Sequence, residues 1–170
     1  MGEEKSDILR EPPLRYLGYA NEVGEAFRAQ VHVNIVRLSY AVASSYVCAD
    51  AIDKGYKTSQ VSWPTEEKKK SRIKWAVVDT LIWQGLASVI IPGFTINRTC
   101  ALCSYILKKS TKLPLPRQKM ITTLVGLAAI PFIIKPIDTS VDYFMENTMR
   151  KYYHYEGPVL KTIVHHTRND

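Results

Sequence analysis

Apolar positions in this chain gather into long runs, separated by short and strongly charged stretches. Residues 14–28 predict a helix, because Leu17, Ala20, Val23 and Phe27 recur at three- and four-residue spacing while Arg15, Glu22 and Glu25 mark a wet face. Val33 to Ala51 is the first candidate span, interrupted by Asn34, Arg37 and Asp50. Ala41, Ser45 and Ala49 recur every four residues in it, a face of small side chains that allows close backbone approach in lipid. Trp75 to Ile96 is the strongest segment, with a single charge, Asp79. As a helix it would extend roughly 33 Å, close to the ~30 Å hydrocarbon core of a bilayer. Gly85 and Ser88 offer a second small patch in it, Trp75 lies where an interface would be, and Pro92-Gly93 is expected to bend or end the helix. Thr99 to Leu107 is apolar but too short to span, which fits an interfacial or re-entrant helix, and Leu113-Pro114-Leu115-Pro116 is a breaker. Met120 to Ile134 carries no charge and is flanked by Lys119 and Lys135, whose snorkelling would offset its shortness, with a kink expected at Pro131 and a limit at Pro136. Ile137 to Tyr153 predicts an amphipathic helix: Ile137, Val141, Phe144, Met145, Met149 and Tyr152 form one stripe, and Asp138, Asp142 and Glu146 another, followed by Arg150.

The pattern therefore predicts an all-α fold: an integral membrane helical bundle of about three spans with flanking amphipathic helices. Its expected organisation is a disordered lead over 1–13, a single helical membrane domain over 14–155 with spans at 33–51, 75–96 and 120–134, and a polar tail over 156–170. A soluble bundle would show similar buried helices, and the slightly negative mean hydropathy favours that alternative unless the apolar residues are concentrated, as they are here.

The formal charge of +7 would suggest nucleic acid in a soluble protein. Here the basic residues fall between apolar runs, so lipid headgroups are the expected partner and nucleic acid is not. The connection Asp53 to Lys74 contains Lys68, Lys69, Lys70, Arg72 and Lys74, the candidate lipid-contacting residues, against which a merely solvated loop must be weighed. The lead, with three Glu and one Asp, has no apolar stretch for a secretory signal and is too acidic for a cleaved presequence, so an import signal is expected inside the mature chain. Charges on the two sides of a three-span arrangement tie, and the positive-inside rule makes no choice of orientation.

Catalytic chemistry is missing from the pattern. Cys48, Cys100 and Cys103 are too few for a disulfide framework, and the lone C-x-x-C lacks the further ligands a zinc site needs. His165-His166 lies in the tail, and no G-x-S-x-G, P-loop, H-E-x-x-H or G-x-G-x-x-G string occurs. The expectation is a non-enzyme without cofactor, metal or catalytic residues. Arg37, Asp50 and Asp79 are the candidate intramembrane polar residues. A carboxylate at membrane depth is costly, so Asp79 is expected either to pair near the interface or to serve a transport route.

Four strings carry a resemblance. RYLGYANEVGEAFR (residues 15–28), LSYAVASSYVCADAIDKG (38–55), VVDTLIWQGLASVIIPGFTINR (77–98) and IPFIIKPIDTSVDYFMENTMRKYY (130–153) together resemble the mitochondrial fission process protein 1 family. The resemblance covers most of 14–153, leaving the lead, 56–72, 108–116 and the tail after Tyr155 divergent. It implies a multi-pass protein of the mitochondrial inner membrane that promotes division and maintains network shape, with membrane lipids and other inner-membrane proteins as partners and an indirect link to the division machinery. It implies no catalytic residue. Two alternatives stay open beside it: a small-solute or ion pathway lined by Arg37, Asp50 and Asp79, and a soluble helical interaction module.

Overall fold

A computed structural model describes residues 14–152; the expected lead, the tail and the paired tail histidines lie outside the described residues. Among the described residues all regular structure is helical. A 3₁₀ turn, Leu14–Tyr19, leads into the short helix α1, Ala20–Ala26. Then follow α2, Val33–Ser59; α3, Glu66–Gln84; a π-helical turn, Gly85–Ile90; α4, Ile91–Ser110; α5, Leu115–Asn147; and a closing 3₁₀ turn, Met149–Lys151.

Local chemistry sets these boundaries. At the start of α2 the His32 Nδ1 accepts the Asn34 amide at 3.2 Å, the role a Ser or Asp usually takes at an N-cap. The expected connection Asp53–Lys74 is mostly helical, since α2 runs on to Ser59 and α3 starts at Glu66. The short link between them is closed by Trp63, whose indole N–H donates to the Thr58 carbonyl at 3.0 Å. Glu66 and Glu67 occupy the first turn of α3, where negative charge suits the helix dipole.

Pro92-Gly93 neither ends nor interrupts the helical course. Pro92 lacks the N–H that an unbroken α-helix would use, and the wider π turn just before it absorbs the misfit. The expected separate helix at 99–107 is therefore the continuation of α4. In the same way the expected span 120–134 and the expected amphipathic helix after Pro136 are one helix, α5, with Pro131 and Pro136 inside it. Internal hydroxyls are satisfied locally: Thr80, Thr95, Thr99, Thr122 and Ser140 each donate to the carbonyl four residues back.

Three helical stretches, Val33–Ser59, Glu66–Ser110 and Leu115–Lys151, are long and apolar enough to cross a membrane by length and composition. At 1.5 Å per residue they extend about 40, 68 and 55 Å, so each exceeds a ~30 Å hydrocarbon core and its ends reach beyond it. Short links make neighbours antiparallel, with α2 against α3 and α4 against α5, while α1 is wedged among α2, α4 and α5.

The interior is built from small and polar residues. Ala26, Ile96 and Cys100 form one apolar cluster, and Ala87, Val141 and Met145 another. Among the described residues thirteen polar or charged side chains are buried against eleven apolar ones, while Leu38, Ile52, Phe94, Leu102, Leu124 and Phe132 stand exposed. Water would penalise that outer surface, whereas hydrocarbon penalises the opposite choice, outward polar groups. This inversion is the arrangement a helical bundle adopts in lipid.

Candidate functional site: a buried polar interior

Three polar clusters occupy the spaces between helices. The first ties α3 to the end of α5. Arg150 extends from the closing turn and donates from Nε and Nη2 to the two oxygens of Asp79, both at 2.9 Å. Its Nη1 reaches Asp142 Oδ1 at 3.3 Å, and the Trp83 indole N–H donates to that same oxygen at 3.1 Å. Asp79, Asp142 and Arg150 are all nearly sealed from the surface, at 4, 2 and 7% exposure. Asp79 is thus paired with a base 71 positions away rather than with a sequence neighbour.

The second cluster joins α2 to α3. Asp50 accepts from Gln84 Nε2 at 2.8 Å and faces Lys54 Nζ at 3.4 Å, and Ser88 donates to Gln84 Oε1 at 2.6 Å. Lys54 was placed by its sequence in a polar connection, yet it is buried beside its aspartate.

The third cluster seats α1. Glu25 accepts from Arg28 Nε and Nη2, both at 2.6 Å, from the Tyr40 phenol at 3.0 Å and from Asn97 Nδ2 at 2.8 Å. Burial opposes its ionisation, but these donors outweigh it and hold its carboxyl below the usual range. Asn21 Nδ2 donates to the Val89 carbonyl in the π turn at 3.1 Å. Glu22, about one turn before Glu25, is buried as completely as Glu25, but neither of its oxygens has a hydrogen-bond partner among the side chains and backbone of other residues. Burial pushes it up to about 7, its own backbone N–H opposes, and the nearby Asp138 carboxyl adds to the rise.

The remaining sequence candidates are placed as follows. Arg37 is exposed on α2, away from the clusters that hold Asp50 and Asp79. Ala41 and Ser45 are exposed and Ala49 is half-buried, while the face of α2 buried in the bundle runs through Val36, Ala43, Val47, Asp50, Ala51, Lys54 and Gly55. Gly85 and Ser88 are half-buried on the π turn. Lys68, Lys70 and Lys74 are exposed and Lys69 and Arg72 half-buried on the first turns of α3. There Arg72 lies 5.9 Å from the Trp63 ring centroid and Lys74 5.7 Å from that of Trp75. Cys48 is exposed, Cys103 half-buried and Cys100 buried, and all three are free thiols. Among the described residues no group of three or more His, Cys, Asp or Glu converges as a metal site would require.

Sequence reading missed Glu22, Glu25, Arg150 and Gln84 as interior groups. Glu22 and Glu25 were assigned to a wet face, because an isolated amphipathic helix gives no sign that its polar side faces a polar interior. Arg150 had a signal, its four-residue offset from Glu146, but its main partner lies on another helix.

A bundle with polar residues inside, large apolar ones outside and three helical stretches long and apolar enough to cross a membrane defines the class: an all-helical bundle of membrane-spanning length. The comparisons then set the family. The family described as Mitochondrial 18 KDa protein (MTP18) matches residues 7–72 and 58–145. Mitochondrial fission process protein 1 of Homo sapiens is 56% identical over 147 residues, covering 86% of this chain and 88% of the human one. The proteins of the same name from Caenorhabditis elegans and Danio rerio are each 54% identical, covering 88% and 86% of this chain and 90% and 88% of their own. The chain belongs to this mitochondrial fission process family. No solved structure matches it.

Proposed function

We propose that the chain is a multi-pass protein of the mitochondrial inner membrane that promotes mitochondrial fission and maintains network shape without catalysing a reaction. The observation that carries the membrane part is the inverted bundle, with many polar side chains inside, most of them hydrogen-bonded, and large apolar ones outside. Fission rests on the names of relatives that match nearly their whole length. The non-enzymatic part is supported by the state of the interior, where Asp50 and Asp79 are engaged by Lys54 and Arg150 as structural ties. The same pairing argues against a conducting route lined by Arg37, Asp50 and Asp79, because Arg37 lies apart from the other two. Basic residues at the start of α3 are suited to anionic lipid at a membrane surface, at about 1 kcal/mol for each. Other inner-membrane proteins would meet the bundle through its exposed apolar faces, and the division machinery would be reached indirectly.

The test has two parts. Alkaline carbonate extraction of mitochondria should leave the protein in the pellet, and protease treatment of mitoplasts against mitochondria should place it in the inner membrane. Loss of the protein should lengthen the mitochondrial network and re-expression restore it. Release by carbonate would overturn membrane integration, and an unchanged network would overturn the role in fission.

A further inference from the structure

α1 sits in a seat too close for solvent. A Cβ added to Gly24 would collide with the Ser39 hydroxyl of α2. One added to Gly93 of α4 would lie 3.3 Å from Asn21 Nδ2, and one added to Gly126 of α5 would lie 3.2 Å from Ala26 Cα. Three glycines thus let α2, α4 and α5 approach this one short helix. Glu22 is 1% exposed within the seat, and neither of its oxygens is hydrogen-bonded to another residue. An ionised carboxylate in such a place would carry a large desolvation cost, which its own backbone N–H offsets only in part. A carboxylic acid would not.

We propose that Glu22 is a proton-binding site: it holds one proton while α1 is docked among α2, α4 and α5, and loss of that proton releases α1 from its seat. The step is a simple dissociation. The carboxyl O–H bond breaks, its electron pair stays on the oxygen, and the proton passes to water or buffer as the seat opens.

The charged surroundings leave Glu22 as the group that responds. From α5 the facing ionisable group is Asp138, whose negative charge disfavours a second one. From α2 it is the Tyr40 phenol, which donates to Glu25. On the α1 side Glu25 is held ionised by Arg28, Asn97 and Tyr40 and stays so as pH rises, so it adds nothing to the pH response. Tyr19 on the preceding turn is half-buried. The α4 contribution is the neutral Asn97, its Arg98 being exposed and stacked on Phe94 at 5.4 Å, and the π turn has no ionisable residue. A carboxyl held near 7 when docked and near its ordinary 4.5 when released favours docking at low pH. That advantage is fully present below 4.5 and is lost as pH rises to about 7.

Cys100 is a native reporter, because it packs with Ala26 in the same cluster and is buried. In full-length Cys48→Ser/Cys103→Ser protein in bilayers, the rate of maleimide labelling at Cys100 is measured from pH 6 to pH 8, with and without Glu22→Gln. Thiol ionisation affects both proteins alike, so their ratio reports on the seat. The ratio of wild-type to Glu22→Gln should rise roughly tenfold over that interval. A ratio independent of pH would overturn the proposal. Infrared spectra of the wild-type protein supply the second measurement and need no variant to fold. A protonated carboxyl band should be present at pH 6, fade by pH 8 and be missing in Glu22→Gln. A wild type without such a titrating band would also overturn the proposal. Asp138→Asn should move the titration to lower pH; its disappearance would assign the proton to Asp138 and refute the role of Glu22.

Discussion

Arg150 offers the sharpest test of how the helices are tied together. Its guanidinium joins Asp79 through two charge-assisted bonds and touches Asp142, all within a nearly sealed space. Replacing it by Met keeps a long side chain but leaves two buried carboxylates without the guanidinium. Breaking a buried pair from one side costs about 3–5 kcal/mol, far more than the ~0.6 kcal/mol typical of an interhelical hydrogen bond in lipid. Asp79→Asn is milder, because the amide oxygen still accepts one bond and Arg150 keeps Asp142; a loss of about 2 kcal/mol is expected. In the Arg150→Met background the same Asp79→Asn change removes an unfavourable charge, so it should cost little or even stabilise. The double variant should therefore be more stable than the sum of the single losses by at least ~1.5 kcal/mol. Unfolding in mixed micelles by titration with a denaturing detergent gives all four stabilities. Additive losses within ~0.5 kcal/mol would refute the buried ion pair as the tie between α3 and the end of α5.

Other expected outcomes follow from close packing and surface charge. A Cβ on Gly126 would lie 2.6 Å from Cys100 Sγ, so Gly126→Ala should destabilise the bundle by about 1–3 kcal/mol and Gly126→Leu should prevent a stable fold, read by the same detergent titration. Ala43 is fully buried on α2 and Ser45 exposed, so Ala43→Leu should lower stability by about 1–3 kcal/mol while Ser45→Leu leaves it within ~0.5; equal losses would mean that the Ala41–Ser45–Ala49 face packs as well. Exchanging Lys68, Lys69 and Lys70 for Gln in the full chain should preserve membrane insertion but weaken recruitment of anionic lipid to the reconstituted protein. That lipid preference should fade as salt rises, and a preference unchanged by the exchange would rule out these lysines as the contact.

The apolar runs by themselves determined that the described residues are helical and, within broad bounds, where the polar breaks between the long helices lie. Hydrophobic length is a local property, and a backbone that must satisfy its own hydrogen bonds in lipid has little choice but helix. The residues also carried the family, because the matching strings are long. Continuity was decided at the tertiary level: Pro92 follows directly on a π turn, and Pro131 and Pro136 stay inside α5, so none of the three ends its helix. Orientation of the polar faces was decided there too. Glu22 and Glu25 follow the periodicity of a wet surface, and periodicity states only that two faces differ. Which face turns inward depends on what the other helices present, and Asp79 meets Arg150 from 71 positions away through packing that no local pattern encodes. In a membrane bundle the polar side is the inner one, so the interior was visible in the sequence as polar residues but not as an interior.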